Sequence, residues 1–377
     1  MRKDKPKGRL AKRMAFYAIN RRKQLLQQRG TRIHRDLTER LRWFTDRYQI
    51  LTAFAFEPGC ARVYLGDKAQ QICRFCGGNG SQVKFKKLAH AIPDQVGNDW
   101  LFDHEECDTC NAHFAKWVEN DFGKWTHPWR TLGRIKGKDG VPSIKSNDKQ
   151  FRIDANVTST DAETGAGAVR HGLKIVMTAN DHRHELNESN RTVKLTVDCP
   201  AYVPMGVFKC LVKMALSVMP AEEEQKCAHL KKWILLTEHS YESYRYRPLV
   251  VHHQFAPGPL PNDKIACLLM RRTATADDCP YMQFVLQLSN HVFQIALPMH
   301  IEDRADSDGK KLELCRWSNT WADVEHQLQY GSPEYQAFDM SGTSLIRGES
   351  RSMVFSYDEL IDLPSTTGKA DVESQAD

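Results

Sequence analysis

Two short motifs frame the stretch that decides the fold. They are CRFC at residues 73–76 and CDTC at 107–110, with GGNGSQVKFKKLAHAIPDQVGNDWLFDHEE (77–106) between them. Thiolates at i and i+3 of a tight turn point at one centre, so two such pairs supply four sulfurs to one tetrahedral ion. Cys73, Cys76, Cys107 and Cys110 are therefore expected to hold zinc. Four protein ligands leave no open position, which makes that zinc structural. Gly77 and Gly78 give the first pair the permissive backbone a knuckle needs. VKFKKLAHAI (83–92) reads as a β-hairpin arm with His90 at its end, and Pro93 and Gly97-Asn98 mark a loop after it. Beyond Cys110, Phe114, Trp117, Val118 and Phe122 recur at helical spacing, which puts Asn111 at or near a helix start. The order is hairpin, loop, helix, with zinc at the root.

Working outward, the chain has 377 residues, 41% of them hydrophobic, and eleven cysteines, an odd number. Two tight Cys pairs and seven scattered cysteines suit a reducing cytoplasm with one metal site better than a disulfide framework. No run of eighteen apolar residues is present, so no membrane span is expected. The net charge of +6 is unevenly placed: residues 1–50 carry 16 Lys/Arg against 4 Asp/Glu, and the remaining 327 carry 37 against 43. A basic arm on an acidic body points to a polyanion partner, which Lys and Arg grip by releasing counterions. Leu10, Met14, Tyr17, Leu37, Leu41 and Phe44 predict two basic helices interrupted at Gly30.

The expected organisation is α+β: a basic helical arm (1–55), a zinc-stapled unit (60–145), a separate α+β C-terminal domain (150–365), and a polar, disordered tail (366–377). In the C-terminal domain KLTVDC (194–199) and FVLQLSNHVFQIALPM (284–299) read as strands, the second folded at Ser289-Asn290. VPMGVFKCLVKMALSVMP (203–220) reads as a helix stopped by Pro220, with Lys209 and Lys213 taken as solvated sooner than as phosphate contacts. EHSYESYRYRP (238–248) has a composition suited to stacking on bases, and serves equally as an exposed polar hairpin.

His90, Asn98 and Asn111 in this frame resemble the HNH endonuclease family, in its ββα-metal branch with a structural zinc held by four cysteines. The matching pieces are CRFCG (73–77), FKKLAHAIPDQVGN (85–98), LFDHEECDTCN (101–111), FAKWVENDFGKW (114–125) and RTLGRIKGKDGVP (130–142). The last two, and YVPMGVFKCLVKMALSVMP (202–220), are similar to a bacterial subgroup of stand-alone HNH proteins with a C-terminal domain.

The resemblance implies a metal-dependent endonuclease that hydrolyses phosphodiester bonds in DNA, in a bacterial cytoplasm. His90 would be the base that activates water, Asn98 would hold the imidazole or the loop, and Asn111 would offer its carbonyl oxygen to catalytic Mg²⁺ or Mn²⁺. Many family members carry a carboxylate just before the histidine, where this chain has Ala89. Glu119, Glu106 and Asp108 are the substitutes considered for the ion. Glu119 stands about 80° round an ideal helix from Asn111 and about 12 Å along it, far for a shared ion. Lys84, Lys86, Lys87, Arg21 and Arg22 would contact phosphates of double-stranded DNA. Cutting both strands with a one-strand site implies a homodimer. By analogy with antiviral defence effectors, an activating partner protein or nucleotide second messenger would license cleavage. The competing reading is a non-catalytic zinc-ribbon module that binds nucleic acid, with Ala89 recording lost catalysis.

Overall fold

The computed structural model describes residues 7–146, 150–155, 172–177, 182–239, 249–299, 301–303 and 312–357, with side chains from residue 25 onward. The chain opens with one helix, α1 (Lys7–Arg47), and no break at Gly30. Gly30 lies where α1 meets α7 (Val324–Tyr330), and a Cβ there would make an ordinary contact with Leu328 at 3.4 Å. Helix α1 runs straight into β1 (Tyr48–Phe56), a strand where the sequence suggested more helix.

β1 pairs antiparallel with β11 (Ile265–Arg272), from Tyr48↔Arg272 to Phe56↔Ile265. It is the edge of a six-stranded antiparallel sheet ordered β1-β11-β12-β13-β10-β14. The other members are β10 (Val250–Phe255), β12 (Met282–Leu288), β13 (His291–Ala296) and β14 (Glu334–Asp339). The predicted turn at Ser289-Asn290 joins β12 to β13, and Ser289 takes the positive φ of 49° that a two-residue hairpin requires. Three small sheets complete the architecture: β2 (Val63–Leu65), β3 (Ala89–His90) and β4 (Leu101–Asp103); β5 (Ile144–Lys145), β6 (Phe151–Ala155) and β7 (Leu173–Met177); and β8 (His184–Asn187), β9 (Thr192–Asp198) and β15 (Ser350–Ser356). The chain is thus α+β, and no helix of the described residues is long and apolar enough to cross a membrane.

One helix organises the interior. All fourteen residues of α4 (Pro204–Ser217) are buried, so it lacks the polar face of a surface helix. The short α5 (Ala221–Glu224) follows it. Helix α4 packs against α3 (Asn120–Leu132), against α6 (Ala228–Ile234), and against β12. A single apolar cluster therefore runs from Cys73, Phe75, Phe114 and Trp125 through Phe208, Leu211 and Met214 to Leu269, Phe284 and Phe293. Two elements cross the boundary drawn near residue 150: β1 lies in the sheet built mainly of residues 250–339, and α4 lies against the cysteine unit. Burial of α4 also overturns the reading of its lysines, because Lys209 and Lys213 are both 0% exposed. Arg21 and Arg22 lie where side chains fall outside the described ones, and the 240–248 and 358–377 stretches lie outside the described residues.

Gly206 shows how closely α3 and α4 meet. A Cβ there would sit 2.3 Å from Asp121 Oδ2 and 3.0 Å from its Cβ, while Asp121 Oδ1 accepts from Val203 N at 3.1 Å. Asp121 cannot swing away without leaving that amide unpaired. Gly206→Ala should cost about 1–3 kcal/mol of unfolding free energy by overpacking. Urea titration of the variant beside wild type measures it.

Candidate functional site

The four cysteines converge as their spacing predicts. One sulfur from each of Cys73, Cys76, Cys107 and Cys110 lies within 4.8 Å of every other. Cys73 Sγ is 3.7 Å from Cys110 Sγ, and Cys76 Sγ is 3.9 Å from Cys107 Sγ. Sulfurs at about 2.3 Å from a tetrahedral zinc would stand roughly 3.8 Å apart, so the donor set fits structural zinc. The knuckle backbone explains the fit. Gly77 takes φ 72° and donates to Cys73 O at 2.8 Å, folding the first pair back on itself. Cys107 caps α2 (Asp108–Phe114), where its sulfur accepts from Cys110 N at 3.4 Å. The Cys110 sulfhydryl and backbone N–H groups lower the pKa of the Cys73 thiol, and in turn the hydrogen bond to Cys73 raises that of Cys110 and burial raises that of Cys107. Among the described residues this is the sole cluster of three or more His, Cys, Asp or Glu side chains with metal-binding spacing.

From this root the chain makes β3, β4 and then α2. β3 pairs antiparallel with β4, with His90 opposite Phe102. The hairpin arm is shorter than expected: residues 83–88 are irregular, tied down by Asp108, whose N–H donates to Lys84 O at 2.8 Å and whose Oδ1 accepts from Lys87 N at 2.9 Å. Asp108 is thereby a local cap. Lys84, Lys86 and Lys87 are exposed on that segment.

The His90 ring is partly buried, 4.8 Å from the Phe102 ring, and its nitrogens make no hydrogen bond among the described residues. Burial lowers its pKa from 6.5; of the charges that face it, Asp94 counts most, ahead of Lys213, Glu119 and Asp99. The imidazole is therefore neutral at neutral pH. Asn98 is 2% exposed and fully engaged with backbone. Its Nδ2 donates to Ile92 O at 2.6 Å and Leu101 O at 2.8 Å, and its Oδ1 accepts from Trp100 N at 3.1 Å and Leu101 N at 2.9 Å. Two donors and two lone pairs are spent, so Asn98 pins the loop and has nothing left for the imidazole. Asn111 lies on α2 with its amide free of hydrogen bonds among the described residues.

Glu106 and Glu119 meet, but around a lysine. Lys213 Nζ lies 3.1 Å from Glu106 Oε2, 3.2 Å from Glu119 Oε1, and donates to His90 O at 2.7 Å. Glu119 reaches this point because Ala115–Glu119 form a π-helical turn, whose extra residue changes the facing an ideal helix would give. Burial pulls Lys213 down, yet Glu106 and Glu119 outweigh it and hold the ammonium above the ordinary lysine value. Burial pushes Glu106 up from the ordinary carboxylate range against the pull of Lys213, as expected where one cation serves two carboxylates. Lys209 donates to Leu236 O at 2.9 Å, and burial lowers it to about 8. His113 turns toward α6, 3.4 Å from Ile234 O. Trp117, expected on the apolar face, is 38% exposed under Lys116.

Arg74, an inner residue of the first knuckle, is the residue the sequence reading missed. It is 2.8 Å from Glu105, 3.2 Å from Glu224 and 3.5 Å from Asp103, and it donates to Leu216 O at 2.8 Å and Met219 O at 2.9 Å. It thus caps the end of α4 from the zinc unit. Nothing in C-x-x-C spacing signals such a role.

Purified protein should carry one zinc per chain by elemental analysis, and Cys110→Ser should lose it and lower the melting temperature. Asn98→Ala should cost at least about 3 kcal/mol in urea unfolding, because several buried backbone groups lose their partners together.

Searched against family models, curated proteins and solved structures, the chain matches none of them.

Proposed function

We propose that residues 72–142 form a metal-dependent endonuclease of the HNH type, braced by the four-cysteine zinc, that hydrolyses nucleic-acid phosphodiester bonds, with DNA the expected substrate. One observation carries the reading: a neutral imidazole at His90 stands on a strand followed by a helix that offers a free amide at Asn111, all rooted in four metal-spaced sulfurs. The sequence resemblance over the same residues supports it. In this reading Mg²⁺ or Mn²⁺ would neutralise charge on the phosphate when bound. His90 takes a proton from the attacking water, and the low pKa that burial gives it keeps the basic form populated. Asn98 keeps the loop beside His90 in one conformation, and Asn111 would offer a neutral oxygen to the ion when it is bound. Exposed Lys84, Lys86 and Lys87, with the basic α1, meet the phosphates. Cytoplasmic action as a bacterial defence effector, a homodimer and an activating signal belong to the same proposal.

The engagement of Glu106 and Glu119 by Lys213 favours a second reading, a zinc-braced module that grips nucleic acid without cutting it. Plasmid incubated with wild type and Mg²⁺ or Mn²⁺ decides between them. Nicking that falls by roughly 10²–10⁴-fold in His90→Ala supports the enzyme. A similar loss in Asn111→Ala would place the amide in the reaction. Retention of plasmid without cleavage in either metal supports the module. The rate should fall as pH drops through the His90 pKa, because protonation removes the base. That acid limb should lie below the ordinary imidazole value of about 6.5.

A further inference from the structure

We infer that Lys213 is the fixed cation of the His90 site: its ammonium, not a divalent ion, is what Glu106 and Glu119 hold, and it positions the His90 strand. The geometry matches an ammonium. The ammonium donates to the carbonyl of His90 at 2.7 Å and is ion-paired with Glu106 at 3.1 Å and Glu119 at 3.2 Å. Oxygens that hold Mg²⁺ lie at about 2.0–2.1 Å from it, and those that hold Ca²⁺ at about 2.3–2.6 Å, closer than these oxygens lie to the ammonium.

The cation also has no way out. Lys213 is 0% exposed, on a helix buried along its whole length, with its ammonium 5.8 Å from the centre of the Phe114 ring. Neither oxygen of Glu106 has a hydrogen-bond partner, so the charge of Lys213, 3.1 Å from Oε2, is what faces this carboxylate. An isolated buried carboxylate pair would be costly, and the lysine offsets that cost from another part of the chain. It follows that a catalytic ion would not use this pair. It also follows that the His90 carbonyl, and with it the short strand β3, is tied to α4 and through α4 to the six-stranded sheet. Lys213 touches no reacting atom here; it acts through His90. The positioning half of the inference rests on the nuclease reading, and the cation half does not.

Lys213→Met keeps the stem and removes the charge. Titrated with Mn²⁺ under electron paramagnetic resonance, it should gain a site at least about tenfold tighter than any in wild type, because two freed carboxylates now attract a dication. Adding Glu119→Gln to it should abolish that gain. In the plasmid assay Lys213→Met should lose roughly 10- to 100-fold in kcat with KM near wild type, the pattern of a misplaced base and not of lost substrate binding. Its acid limb should move up in pH, since a cation facing the imidazole is gone. Wild-type Mn²⁺ affinity together with wild-type kcat in folded Lys213→Met would overturn the inference. Wild type that never cleaves would sink the nuclease reading alone, and the Mn²⁺ titration would still judge the cation. Where Lys213→Met does not fold, the hydrogen-bonded ammonium of Lys213 in wild type, observed by ¹⁵N NMR, decides. Persistence under saturating Mg²⁺ supports the inference, and disappearance overturns it.

Discussion

A charged nitrogen cannot enter a protein core alone. Helix α4 is buried on every side, so Lys213 must find its partners inside, and it finds them in the cysteine-rich unit: a carboxylate beside Cys107, a carboxylate at the end of a π turn, and the carbonyl of His90. Removing any one partner leaves a buried ion short of ligands, which is far costlier than losing a surface pair. Arg74 makes the reciprocal connection. It sits inside the first knuckle and reaches carbonyls at the end of α4 together with Asp103, Glu105 and Glu224. Two buried cations, one running each way, thus fasten the sulfur cluster to the large sheet.

This arrangement gives the zinc centre a role beyond its own loop. The cluster fixes the turn that carries Arg74 and the helix start that follows Glu106. The loop between β3 and β4 is then fixed from its own side by Asn98, and from α3 by Arg130, which donates to Gln95 O at 2.6 Å. The His90 backbone is held by β4 and by Lys213, its ring packs on Phe102, and its ring nitrogens make no hydrogen bond among the described residues. That is the condition under which a base keeps one orientation without spending its nitrogens on the protein.

Much of this was legible in the sequence, for identifiable reasons. Cysteine spacing is a geometric code, so the sulfur cluster followed directly. Alternating and helical apolar patterns gave β9, the β12–β13 hairpin and α4 to within a few residues. What failed to show was long-range. Nothing in residues 48–56 announces a strand whose partner begins at Ile265, since its pattern continues that of α1. Lys209 and Lys213 looked solvated because their anchors lie elsewhere in the chain. Glu119 looked misplaced because an ideal helix was assumed, and a single π turn changed its facing. Charge pairing inside cores is set by tertiary contact, and local sequence carries little of it.

The pairing of β1 with β11 has a consequence for biosynthesis. The N-terminal strand leaves the ribosome about 200 residues before its neighbour. At roughly 5–20 residues per second, it waits some tens of seconds with its hydrogen-bonding edge uncovered. Such distant contacts also slow the search for the native topology. The nascent chain is therefore most exposed to wrong association before β11 is made.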